Sequence, residues 1–225
     1  MEENKEPIFS EEAWESYMRL TRERPEDFRQ DERLSIVLDK NAVEEYANRT
    51  GKRMGVVYSS PYHIMVVDLV RSPDGVCFAY ERLLPAVPKG AVVTIPVKEH
   101  QYVLLKQFRH SMRGEQYAFP RGFAEDGLSI EENAAKELQE ELGARLLSAK
   151  KLGTLVADSG VAGNPVAVIL CEIDTVSLQK DYEGIQNVIL LSEAELRKWI
   201  VSGNINDGFT LSAFALLEAQ KGIAS

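Results

Sequence analysis

The chain has 225 residues, enough for one large domain, or for one domain with an extension, to bury a core. Its 26 Lys and Arg stand against 35 Asp and Glu, a net charge of −9, and no Lys/Arg-rich run appears, so a nucleic-acid backbone is a poor partner. No stretch approaches ~18 continuous apolar residues and the first residues are charged, which argues against a membrane span and against a signal peptide.

In chain order, residues 1–52 read as a helical extension. Ser10 caps a helix that carries Trp14, Tyr17 and Met18 at helical spacing, a stripe suited to packing. A Pro-bearing link at Arg24-Pro25-Glu26-Asp27 follows. Asp39 or Asn41 then opens a second helix over 42–49 that stops near Gly51. Strands begin at Gly55. Residues 62–70 and 76–82 flank Ser72-Pro73-Asp74-Gly75, a turn with Pro second and Gly last, and this predicts an antiparallel hairpin. Further strands are predicted over 91–97, 102–109, 151–157, 165–173 and 187–191. Two helices close the chain, one capped by Ser192 and one over about 209–220. Cys77 and Cys171 lie in apolar strand runs without metal-ligand spacing, the pattern of buried free thiols in a reducing cytoplasm. His63, His100 and His110 show no ligand spacing either.

Between the strands lies the most informative stretch, residues 122–144. Ser129 and Glu132 form a capping box, the interior is rich in Ala, Leu, Glu and Lys, and Gly143 suits a helix stop. At roughly 100° per residue, Glu137, Glu140 and Glu141 share one side of this helix, while Ala135, Leu138 and Leu142 form a stripe for core packing. Three crowded carboxylates repel unless solvent or cations neutralise them, and hard oxygen ligands suit Mg²⁺ or Mn²⁺.

The stretch resembles the Nudix box, Gly-x5-Glu-x7-Arg-Glu-hydrophobic-x-Glu-Glu-x-Gly-hydrophobic. Gly122, Glu137, Leu138, Glu140, Glu141, Gly143 and Ala144 occupy matching positions. Leu128 and Lys136 depart from it, standing where the family has a Glu and an Arg that pair to brace the loop against the helix. Both having changed reads as a coupled replacement. The resemblance implies an α+β Nudix fold, a mixed sheet layered between helices, over residues 53–225. Residues 53–90 would form an N-terminal strand hairpin and 91–225 the catalytic core.

Several stretches are similar to the ADP-ribose pyrophosphatase branch of that superfamily. Val103–Arg109 is similar to a strand whose Arg faces substrate phosphate, and Phe119-Pro120-Arg121-Gly122 corresponds to the family's Pro-Ala-Gly. There the residue before Gly lends its carbonyl to a metal, which implies Arg121 here. Asp181-Tyr182-Glu183-Gly184-Ile185 resembles the acidic loop over the reaction centre. The resemblance therefore implies Glu137, Glu140, Glu141 and the Arg121 carbonyl as metal ligands, and Arg109 and Arg121 as substrate contacts. Glu183, ahead of Asp181, would orient or deprotonate water, with Glu137 also in the catalytic set. The implied reaction is metal-dependent hydrolysis of the pyrophosphate bond of a nucleoside diphosphate linked to another group, in a homodimer. Pro-Arg-Gly is also similar to the Pro-Lys-Gly of dinucleoside-polyphosphate hydrolases, and a nucleotide-binding sensor without turnover is a third reading. At Asp158–Asn164 the chain departs from the branch's Ser-Pro-Gly-acidic loop, so the substrate does not carry over.

Overall fold

The computed structural model describes residues 8–88, 90–177 and 184–224. The chain divides into two compact units, Met1–Pro88 with Asp158–Gly163, and Lys89–Ala157 with Asn164–Ser225. Among the described residues no helix is long and apolar enough to cross a membrane.

In the first unit, α1 (Glu11–Glu23) starts where Ser10 Oγ accepts the Ala13 N–H at 3.3 Å. It buries Trp14, Tyr17 and Leu20, and a 3-10 turn, Pro25–Phe28, follows it. α2 (Lys40–Thr50) is capped by Asp39, whose carboxylate accepts the Ala42 N–H at 2.9 Å. It ends at Gly51, in the left-handed conformation. Both helices share one core with an antiparallel sheet made of β1 (Ser35–Ile36), β2 (Gly55–Ser59), β3 (His63–Arg71) and β4 (Cys77–Pro85). The predicted hairpin pairs His63 with Pro85 through Arg71 with Cys77. β1 and β2 both line the other side of β3, and the Leu83 N–H of β4 donates to the Val161 carbonyl at 2.9 Å. The Asp158–Gly163 loop therefore belongs to this unit.

At the centre of this core sits an ion pair. Arg82 grips Asp68 through two hydrogen bonds of 2.6 and 3.1 Å, and the Tyr17 hydroxyl donates to the same carboxylate. Arg82 also donates to the Asp27 carbonyl at 2.6 Å and lies over the Phe28 ring. One side chain thus ties helix, turn and sheet together.

The second unit is a seven-stranded mixed sheet. β5 (Ala91–Lys98) runs parallel to β10 (Val166–Ile173) and antiparallel to β6 (Gln101–Arg109). β9 (Leu146–Leu155) and β11 (Ile185–Leu191) sit at the ends of the order β11-β6-β5-β10-β9. β7 (Gly114–Ala118) pairs with β6, and β8 (Arg121–Phe123) with β5. These two short strands lack an apolar alternation, which is why the sequence reading passed over them. Period-2 alternation sends Val93, Ile95, Leu104 and Val168 to one face, where α4 (Glu193–Val201) and α5 (Gly208–Ala224) contribute Leu196, Ala213, Phe214 and Leu217. Val92, Val103, Leu105, Ala167 and Ile169 point to the other face, against Ala134, Leu138 and Leu142 of α3 (Ile130–Leu142). The result is the expected α+β sandwich, with helices on both faces of a mixed sheet. Ala134, not Ala135, completes the apolar stripe of α3.

Candidate active site

α3 forms for the reasons its sequence offers. Ser129 Oγ accepts the Glu132 N–H at 3.2 Å, Glu132 accepts the Ser129 N–H at 2.7 Å, and Gly143 closes the helix at φ 56°. Asn133, buried, braces the preceding loop by accepting the Glu125 N–H at 2.9 Å.

The three box glutamates have different surroundings. Glu137 is half-buried, and its carboxylate lies directly against the α-carbon of Gly122, where any Cβ would overlap it. That contact puts the Glu137 oxygens against Gly122, the residue that follows Arg121. Glu140 is half-exposed and meets Lys136 at 3.5 Å. Glu141 is 2 % exposed, at the border of the apolar stripe. Among the described residues no three His, Cys, Asp or Glu side chains stand close enough to hold one ion. Lys136 draws Glu140 to itself, while Glu137 lies against Gly122 and Glu141 turns into the interior.

Lys136 settles what became of the altered box positions. Its ammonium contacts Glu125, three residues before Leu128, and that hydrogen bond raises its pKa. Leu128 is only half-buried. Here the loop is braced to the helix by the ion pair from Lys136 to Glu125.

Arg109 ends β6 half-buried, with its Nε in the interior, and Gln107, two residues earlier, is 1 % exposed. His110 is exposed and its Nδ1 lies 2.8 Å from Arg113. Arg121, which the resemblance implied as a substrate contact, directs its guanidinium to Asp207 at 2.8 Å and over the Phe209 ring at 4.3 Å. Asp207 is 4 % exposed and also accepts the N–H and hydroxyl of Thr210 at 2.9 and 2.7 Å. Asp207, Thr210 and Gln116, which donates to Asn206 at 3.2 Å, escaped the sequence reading. The available signal was an Asp three residues before a Thr at a helix start. Asp181 and Glu183 lie outside the described residues.

Both cysteines are free. Burial pushes the Cys171 thiol up to about 12, whereas Cys77 is only half-buried at the start of β4, against the expectation of two buried thiols.

Comparison with known proteins agrees with this fold. The NUDIX domain model matches residues 87–199, half of the chain, and the protein belongs to that family. It is 34 % identical over 111 residues to the ADP-sugar pyrophosphatase of Mus musculus, covering 45 % of this chain and 51 % of that one. It is 31 % identical over 88 residues to the ADP compounds hydrolase NudE of Escherichia coli (strain K12), covering 39 % and 46 %. The matched stretch spans about half the length of each of these two relatives. Against the ADP-ribose pyrophosphatase of Bacillus subtilis (strain 168) it is 25 % identical over 170 residues, 74 % of this chain and 91 % of that protein. The crystal structure of an ADP compounds hydrolase shares the fold, with a TM-score of 0.63 at 20 % identity over 74 % of this chain and 91 % of the other.

Proposed function

We propose that the protein hydrolyses the pyrophosphate bond of a nucleoside diphosphate carrying a second group, of the ADP-ribose kind, into two phosphate monoesters. The observation that carries this reading is the seat formed by Gly122 and Glu137 at the start of the box, in a chain of the NUDIX family whose relatives are named for ADP-ribose and ADP-sugars. The donors fit a hard divalent cation in kind: carboxylates and a backbone carbonyl, with no sulfur or imidazole. Glu137, Glu140, Glu141 and the Arg121 carbonyl would hold Mg²⁺ or Mn²⁺. Such an ion, when bound, offsets the charge of the diphosphate and lowers the pKa of a bound water.

The chain's own groups do the rest. Arg109 would orient a phosphate from the end of β6. Glu183, ahead of Asp181, would take the proton of the attacking water; as its oxygen bonds to phosphorus, the bridging P–O bond breaks and the second monoester leaves. The Asp158–Gly163 loop differs from the related branch, so the group beyond the diphosphate is open to selection. The protein is proposed to work in the cytoplasm, as a homodimer in which the sheet of the 62–82 hairpin lies against the partner copy; its mass in solution checks the dimer.

The deciding experiment incubates the protein with Mg²⁺ and ADP-ribose, other ADP-sugars and dinucleoside polyphosphates in turn. AMP and ribose 5-phosphate should form from ADP-ribose, and chelator or Glu141→Gln should reduce the rate by on the order of 10²–10³-fold. Preference for a dinucleoside polyphosphate, or binding without turnover, would replace this reading.

A further inference from the structure

The segment Phe119–Gly122 is held at every residue. The Phe119 N–H donates to Thr210 Oγ1 at 2.9 Å. The Pro120 carbonyl accepts two bonds from Thr94, from its N–H at 2.9 Å and its hydroxyl at 3.1 Å. Arg121 is drawn to Asp207, and Gly122 pairs with Val92 against the Glu137 carboxylate. Phe119, Thr94 and Thr210 are fully buried, so these bonds are shielded from water and geometrically demanding.

Two of the four restraints converge on one carboxylate. Asp207 accepts the Thr210 hydroxyl, which turns that oxygen's lone pairs toward the Phe119 N–H, and it also takes the Arg121 guanidinium. Phe209 covers the other side of that guanidinium. In the chain the Arg121 carbonyl follows these two anchors directly and leads into Gly122, which pairs with Val92.

We infer that Asp207 is a positioning residue: through Arg121 and Thr210 it sets the orientation of the Arg121 carbonyl at the step into Gly122, the residue that Glu137 lies against, and the Arg121 side chain serves as a latch to α5 rather than as a substrate contact. This rests on the proposed pyrophosphatase reading. It follows that position 121 and position 207 act as a unit. A carbonyl rotated away from its productive direction lowers turnover without changing how nucleotide is gripped elsewhere.

The test is a set of variants, Arg121→Gln, Asp207→Asn and both together, with Arg121→Lys as the conservative replacement, and two readouts. In steady-state kinetics with ADP-ribose and Mg²⁺, each single variant should lower kcat by about tenfold or more with KM within about twofold. The double variant should be no worse than the poorer single, and Arg121→Lys should recover part of the loss. Without nucleotide, amide hydrogen exchange at Phe119 and Gly122 should quicken in Arg121→Gln and Asp207→Asn and approach the parent rate in Arg121→Lys, and Mn²⁺ affinity should fall in the two singles. A KM rise with kcat unchanged, strictly additive losses, or unaltered exchange at both amides overturns the inference. If the parent protein cleaves no nucleotide, the function is refuted, while exchange and Mn²⁺ affinity still decide the latch.

Discussion

At the scale of single residues, Gly122 is the position where backbone and chemistry meet. Nothing in its neighbourhood demands a positive φ; the constraint is the Glu137 carboxylate, which occupies the space of a side chain. Gly122→Ala must move Glu137 or the segment bearing the Arg121 carbonyl. Turnover should fall at least tenfold, a displacement of catalytic groups being expensive in rate, with a melting temperature near that of the parent because the obstacle is the far end of a flexible side chain. Parent-like activity in Gly122→Ala would show that this contact is incidental. Glu137, Glu140 and Glu141 were legible from helical spacing as one side of a helix. Their separate fates were not. Glu141 is buried because its bearing falls only about 20° from that of Ala134, at the edge of the apolar stripe that docks on the sheet, and Lys136 bridges toward Glu125 because the loop brings that acid close.

At the scale of elements, the Tyr17, Asp68 and Arg82 cluster shows how a stripe that reads as simple packing can carry charge. Removing one partner strands a buried carboxylate, so Arg82→Met should cost about 3–5 kcal/mol by chemical denaturation. Tyr17 also gives a pH signature. Burial, with the adjoining Asp68 carboxylate, pushes its phenol far above the ordinary value. An unfolded tyrosine ionises near about 10, so the folded state is the poorer acid. The stabilisation is therefore fully present below about pH 10 and is lost as pH rises beyond it. The melting temperature of the parent should drop more steeply above pH ~10 than that of Tyr17→Phe; parallel profiles would mean that Tyr17 plays no such part. Helix ends were the best-read elements. Ser10, Asp39, Ser129 and Ser192 each cap the helix that their side chains announce, because a cap is a contact across three residues.

At the scale of the whole molecule, a net charge of −9 and an acidic box make cation binding and stability linked quantities. If Mg²⁺ or Mn²⁺ binds the folded chain alone, a cation concentration a hundred times Kd should add about 2.7 kcal/mol of stability. Measured at matched ionic strength, this gain should appear as a higher melting temperature in the parent and shrink in Glu137→Gln and Glu141→Gln. An equal gain in all three would assign it to general screening of the acidic surface.

The amino-acid sequence by itself determined the helices and their caps, the long strands, the α+β class and the position of the box, all of which depend on contacts within a few residues or on a repeating polarity. The tertiary structure alone decided the short strands β7 and β8, the latch from Arg121 to Asp207, the brace from Lys136 to Glu125 and the charged core around Asp68. Arg121 and Asp207 stand 86 positions apart, and Tyr17 and Asp68 stand 51 apart. No local propensity or periodicity records such pairs, because only closure of the intervening chain brings them within hydrogen-bonding reach.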